Sequence, residues 1–105
     1  MSVDINALAS DFGCSTDDVK VMLSEIVVSL DDIYVAIEAL LGENDCGAVA
    51  ELGGMVQAKI NHFHIKDMDV AAASLVEAAN AGNAAGCQAS FASLQAVLNE
   101  VKGLI

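Results

Sequence analysis

The residues able to do chemistry are few. Two histidines, His62 and His64, stand beside Lys66, Asp67 and Asp69, and three cysteines, Cys14, Cys46 and Cys87, are spread along the chain. Imidazoles and carboxylates are metal ligands, so a site would be drawn from His62, His64, Asp67 and Asp69. On a helix, however, the two rings of an H-x-H pair point about 200° apart, and chelation would need an extended backbone. The neighbourhood reads better as cationic side chains in a last helical turn, where positive charge suits the negative helix end. The cysteines are odd in number, widely spaced and form no C-x-x-C. That is the pattern of small buried apolar side chains in a reducing compartment, with little support for a metal or redox role. The serines support no Ser-His-Asp arrangement, and Gly53, Gly54 and Gly82 build no phosphate loop. Asp31 and Asp32 read as a solvated face. No cofactor, no metal and no enzymatic activity are expected.

Whatever the chain does therefore rests on the elements that present its surface. It has 105 residues, enough for one domain with one core, and residues 1–105 read as a single unit. Hydrophobic residues make up 55% and aromatics only 4%, so the core must be aliphatic. There is no proline to interrupt a long helix. The formal net charge is -11 and the only basic side chains are Lys20, Lys59, Lys66 and Lys102. This excludes the electrostatic footprint of a nucleic-acid or anionic-membrane binder and biases the chain toward neutral or basic partner surfaces. Met1 to Phe12 lacks the basic start of a signal peptide, and no apolar run reaches the roughly 18 residues of a membrane helix. A soluble cytoplasmic protein is expected.

The hydrophobic spacing predicts helices throughout. A short helix over about 4–12 has Ile5, Leu8 and Phe12 on one edge and Gly13 as terminator. Ser15 or Thr16 caps a long helix over about 16–41, with Val19, Leu23, Ile26, Leu30, Ile33, Ile37 and Leu40 as its inner series. After a polar turn, with Asn44 or Asp45 as cap, a central helix runs from Cys46 to Phe63 and ends near His62 to Lys66. Val49, Leu52, Val56, Ile60 and Phe63 line its inner side, and Gly54, Gln57, Ala58 and Asn61 the opposite side. Its adjacent glycines, Gly53 and Gly54, each cost a helix about 1 kcal/mol against alanine. They imply either close packing or a surface kept low for an approaching partner. Asp67 or Asp69 opens a fourth helix to about Ala81, with Met68, Ala72, Leu75 and Ala79 inward. Asn83 caps the last, with Cys87, Phe91, Leu94, Leu98, Val101 and Ile105 inward. The expected fold is all-α: an antiparallel up-and-down four-helix bundle with a short extra N-terminal helix.

This series resembles a bacterial histidine-containing phosphotransfer (HPt) domain over nearly the whole chain. DINALASDFGCSTDDVKVMLSEIVVSL is similar to the family's short helix, glycine turn and long helix. LGENDCGAVAELG resembles its turn into the helix that bears the phosphorylated His, and LVEAANAGNAAGCQASFASLQAVLNEV its final hairpin. The family's central helix carries that His, then one turn later a Lys followed by a small Gly, and a further Gly ends the helix. In the register set by the flanks, Gly54 falls at the His position, Gln57 at the Lys position, Ala58 at the small Gly and His64 at the terminal Gly. The resemblance thus implies the architecture without the phosphoacceptor, a pseudo-HPt of two-component phosphorelay signalling. Its partner would be a response-regulator receiver domain or a histidine kinase, met at Gly54, Gln57, Ala58, Lys59 and Asn61. Two other functions compete with it. One is active phosphotransfer through His62 or His64, which a continuous helix would turn about 80° to either side of Gly54. The other is a structural bundle that self-associates through the glycine strip.

Overall fold

A computed structural model describes residues 3–105. The first two residues of the expected 1–105 unit lie outside the described residues. The described chain is all-α, with five helices: α1 Ile5–Phe12, α2 Thr16–Gly42, α3 Cys46–Ile60, α4 Lys66–Asn80 and α5 Ala84–Leu104. Among the described residues no helix is long and apolar enough to cross a membrane.

Four of the five helices start where a side chain can take up the free N–H groups of a first turn. Asp4 accepts from the Asn6 and Ala7 N–H groups at 2.9 and 3.2 Å. Ser15 caps α2 in a reciprocal box with Asp18, its hydroxyl accepting from the Asp18 N–H at 3.1 Å. Asp45 and Asn83 cap α3 and α5 through the Ala48 and Gly86 N–H groups. Helix α4 is the exception. It starts at Lys66, earlier than the expected Asp67 or Asp69, behind Ile65, which offers no cap. Asp67 and Asp69 instead occupy its first turn, where their charge complements the helix dipole. Gly13 ends α1 in the left-handed conformation, at φ 66°.

The helices share one core. Packing joins α2 to α3, α3 to α4, α4 to α5 and α5 back to α2, while α1 rests on α2. At about 1.5 Å per residue, α2 is roughly 40 Å long, and it matches the long dimension of the 42 × 21 × 20 Å molecule. Its buried line is Val19, Leu23, Val27, Leu30, Ile33, Tyr34 and Ile37; Ile26 and Leu40, expected inside, are only half-buried. The expected lines of α4 and α5 are buried, except that Ile105 is exposed at the chain end.

Tyr34 and Phe91 make an edge-to-face contact between α2 and α5, with ring centroids 5.5 Å apart. The Tyr34 hydroxyl is buried and makes no hydrogen bond among the described residues. Burial, and secondarily the Asp31 charge, push its pKa well above the usual value. The folded protein therefore holds this phenol neutral where the unfolded chain ionises it, above about pH 10. Its contribution to stability is complete below that pH and declines as pH rises further.

Two outcomes are expected in denaturant melts. Leu94→Ala or Leu98→Ala, both on the buried line of α5, should lower stability by about 2–5 kcal/mol; a loss below about 0.5 kcal/mol would contradict that packing. Tyr34→Phe should hold or raise stability near neutrality, because it deletes an unpaired buried hydroxyl. It should also lose less than the native chain between about pH 8 and about pH 11.

Candidate functional site

Helix α3 is the element that presents the expected interaction strip. Its buried residues are Val49, Gly53, Val56 and Ile60. Leu52, expected among them, is only half-buried. Gly53 lies on the buried line because α4 approaches there. A Cβ on Gly53 would stand 2.8 Å from Val76 Cγ2 and 3.6 Å from Leu75 Cδ2. One residue further, the helix has turned about 100°, and a Cβ on Gly54 would meet nothing within 4 Å. Of the two uses foreseen for the pair, the geometry shows close packing at Gly53 and leaves open space over Gly54.

Gly54, Gln57 and Lys59 are half-buried, and Ala58 and Asn61 are exposed. Met55, outside the expected strip, is exposed on the same helix. Its place off the Val49–Val56–Ile60 line was the signal that marks it as an outer residue.

The C-terminal part of the strip departs from expectation. Helix α3 stops at Ile60 and does not continue through Phe63. Residues 61–63 form a turn, in which the Phe63 N–H donates to the Ile60 carbonyl at 3.0 Å. His64 then adopts the left-handed conformation, at φ 55°. The connection serves the core: Phe63 and Ile65 are both buried, and Phe63 meets the edge of Phe12 from α1 at 5.9 Å between centroids. The histidines are consequently not on α3, and the angles expected of a continuous helix do not apply. His62 is exposed, its ring 4.5 Å from that of Phe63 and its Nδ1 3.4 Å from Asn61 Oδ1. It borders a shallow cleft of about 260 Å³ with Met22, Glu25, Ile26, Ser29 and Phe63. His64 is exposed on the far side of the turn residue Phe63.

Among the described residues, no three His, Cys, Asp or Glu side chains gather into a metal-binding group. All three cysteines are free thiols. Cys87 is buried, but Cys14 and Cys46, expected to be buried as well, are half-buried. Burial pushes the Cys87 thiol above its ordinary pKa, and the adjacent Cys46 adds to the shift. Such a thiol is a small apolar side chain rather than a nucleophile.

The candidate site is therefore an outer strip of α3 on which Lys59 is the one charged residue among the five expected, bounded by a turn that carries both imidazoles. Comparison with protein-family models, curated proteins and solved structures found no match.

The two glycines should separate in a stability measurement. Gly54→Ala should stabilise by about 0.5–1 kcal/mol through helix propensity alone. Gly53→Ala gains the same propensity but must displace Val76, whose branched side chain is stiff in a helix. It should come out at least about 1 kcal/mol less stable than Gly54→Ala. Equal melting curves for the two variants would contradict the close approach of α4.

Proposed function

We propose that the protein is a pseudo-HPt interaction module: an antiparallel up-and-down four-helix bundle with α1 added at one end, which docks a receiver domain or a histidine kinase without passing phosphate. The closed succession of helix contacts, α2 to α3 to α4 to α5 and back to α2, supports that architecture. The observation that carries the reading is the backbone of His64. The register places at this residue the glycine that follows the family's central helix; here α3 ends earlier, at Ile60, but His64 still has the positive φ that glycine adopts most readily. The same register puts the phosphoacceptor position at Gly54, where there is open space and no side chain.

Phosphotransfer needs an imidazole held where an aspartyl phosphate can reach it in line, with a cation nearby to balance charge. Gly54 offers no nucleophile, and Gln57, at the cation position, is neutral. His62 and His64 sit in the turn beyond α3, away from that position. The reading as a binding module without catalysis follows. Gly54, Gln57, Ala58, Lys59 and Asn61 form its docking strip. Self-association through the glycine strip is disfavoured, because Gly53 is already occupied by contact with α4.

Incubation with a phosphodonor and a receiver domain tests the chemistry. No acid-labile label should accumulate. Strong labelling that is lost in His62→Gln or His64→Gln would establish active transfer instead. Titration of Gly54→Arg against the receiver tests the surface. Affinity should fall while the thermal melt holds or improves, since an exposed helical glycine gains propensity on replacement. Unchanged affinity with an intact fold would move the interface elsewhere.

A further inference from the structure

The outer face of α2 carries a feature that the core does not explain. Val21, Val28 and Val35 are 60%, 67% and 70% exposed. They follow one another at seven-residue intervals and so form a single stripe about 21 Å long on the outside of the helix. Single exposed valines are ordinary on a protein surface, but three in register are an organised apolar line. Local preference gives no reason for them either, because β-branched residues are poorer helix formers than the Ala, Glu or Lys that suit an exposed helical position. A line of β-branched side chains at this period supplies one of the two apolar positions of a heptad, while the positions three residues on, Ser24, Asp31 and Glu38, are polar; the face offers a partner helix a narrow apolar ridge edged with carboxylates.

The charges beside the stripe specify the partner. Glu25 and Asp32 follow Val21 and Val28 by four residues and lie along one flank; Asp31 and Glu38 follow Val28 and Val35 by three and lie along the other. Asp31 is bridged to Lys102 at 2.8 Å. Among the described residues Glu25, Asp32 and Glu38 have no cation within salt-bridge distance. A second copy of the chain would set these carboxylates against their own kind in either helix direction, and the chain has four lysines against 15 acidic residues to relieve the clash. An anionic membrane or a nucleic acid would be repelled. We propose that the outer face of α2 is a docking surface for a basic amphipathic helix of another protein, whose apolar residues lie along Val21, Val28 and Val35 and whose Lys or Arg side chains meet the flanking carboxylates. This surface is separate from the α3 strip and does not depend on receiver docking there.

The test uses the full chain and a synthetic amphipathic peptide of about three heptads, with leucine on one face and lysine on both flanks. Binding is followed by titration calorimetry, and its location by backbone amide shifts. The native chain should bind the peptide with shifts confined to the outer face of α2. A peptide with the lysines replaced by glutamates should not bind. Val21→Ser, Val28→Ser and Val35→Ser together should weaken binding by roughly tenfold or more, with the thermal melt showing the fold retained. Glu25→Lys with Asp32→Lys should weaken it comparably. Glu51→Lys with Glu77→Lys, the same change in net charge at exposed positions of α3 and α4, should leave it nearly unchanged. The proposal is overturned if the native chain does not bind, if the triple variant binds like the native chain, or if both charge pairs weaken binding equally, which would mean unspecific attraction. It is also overturned if the native chain sediments as a dimer that the triple variant dissolves, since the stripe would then pair with itself.

Discussion

The close approach of α4 to its two neighbours is the constraint on which the rest of the molecule depends. With few aromatic side chains, the core must be filled by aliphatic residues and closed by bringing helix backbones together. Gly53 makes room on α3 for Val76 and Leu75 of α4. Gly86 does the same on α5. A Cβ there would stand 3.1 Å from the Ala78 Cβ and 2.7 Å from the Asn83 amide nitrogen. Asn83 is also the cap of α5, accepting from the Gly86 N–H at 3.0 Å. One small residue thus sets both the approach of two helices and the start of one of them. Ala71, Ala72 and Ala79, all buried, continue this thin-walled packing along α4. Interiors are close-packed, so a wall built of small side chains leaves little latitude for enlargement.

Fixing α3 against α4 also fixes what α3 can show to solvent. A helix turns about 100° per residue, so the side of α3 that meets α4 determines that Gly54 looks outward once Gly53 looks in. The turn after Ile60 follows from the same packing. Phe63 and Ile65 are both drawn into the core, Phe63 against Phe12 of α1. Two buried residues flanking one exposed residue cannot all be accommodated on a continuing helix, where Ile65 would point some 200° away from Phe63. The backbone instead leaves the helix, and His64 takes the left-handed conformation between them. Histidine is among the side chains that tolerate this conformation better than most, although it remains uncommon.

Much of this architecture was legible in the sequence because its signals are local. Asn83 announces its helix through a side-chain oxygen that reaches the first turn, Ser15 or Thr16 and Asn44 or Asp45 narrow two more starts to a pair of residues, and Gly13 marks a stop; Asp4, read as the first residue of α1, is its cap. The inner lines of α4 and α5 are regular enough to read directly. The end of α3 was not legible, because Ile60 and Phe63 keep helical spacing even though a turn joins them. The two glycines read as one feature because adjacency in sequence conceals opposite directions in space. Of the candidate strip, the open position of Gly54 could be read from periodicity. The exposure of Met55 and the valine line of α2 were not legible, because an inner apolar series fixes which side is buried and leaves the character of the outer side open.

The valine line bears on how the molecule meets others. Helix α2 packs on α3, α5 and α1, and its buried residues form one side of a cylinder whose other side is largely exposed among the described residues, bordered by α5 at Asp31 and Val35. A solvated outer side would ordinarily be filled with charged and polar residues. Here it alternates valines with carboxylates, which supplies an apolar contact and a selective charge together. Because the whole chain is acidic, attraction at longer range favours the same basic partners that the carboxylates beside the valines can pair with, and it works against a second copy of the chain. The α3 strip, with Gly54, Ala58 and the neutral Gln57, carries no comparable line of carboxylates. In the proposed docking, recognition there would rest on shape: Gly54 has no side chain to hold a partner off. As proposed docking faces the two would therefore select by different physics, one by charge and period, the other by the absence of a side chain.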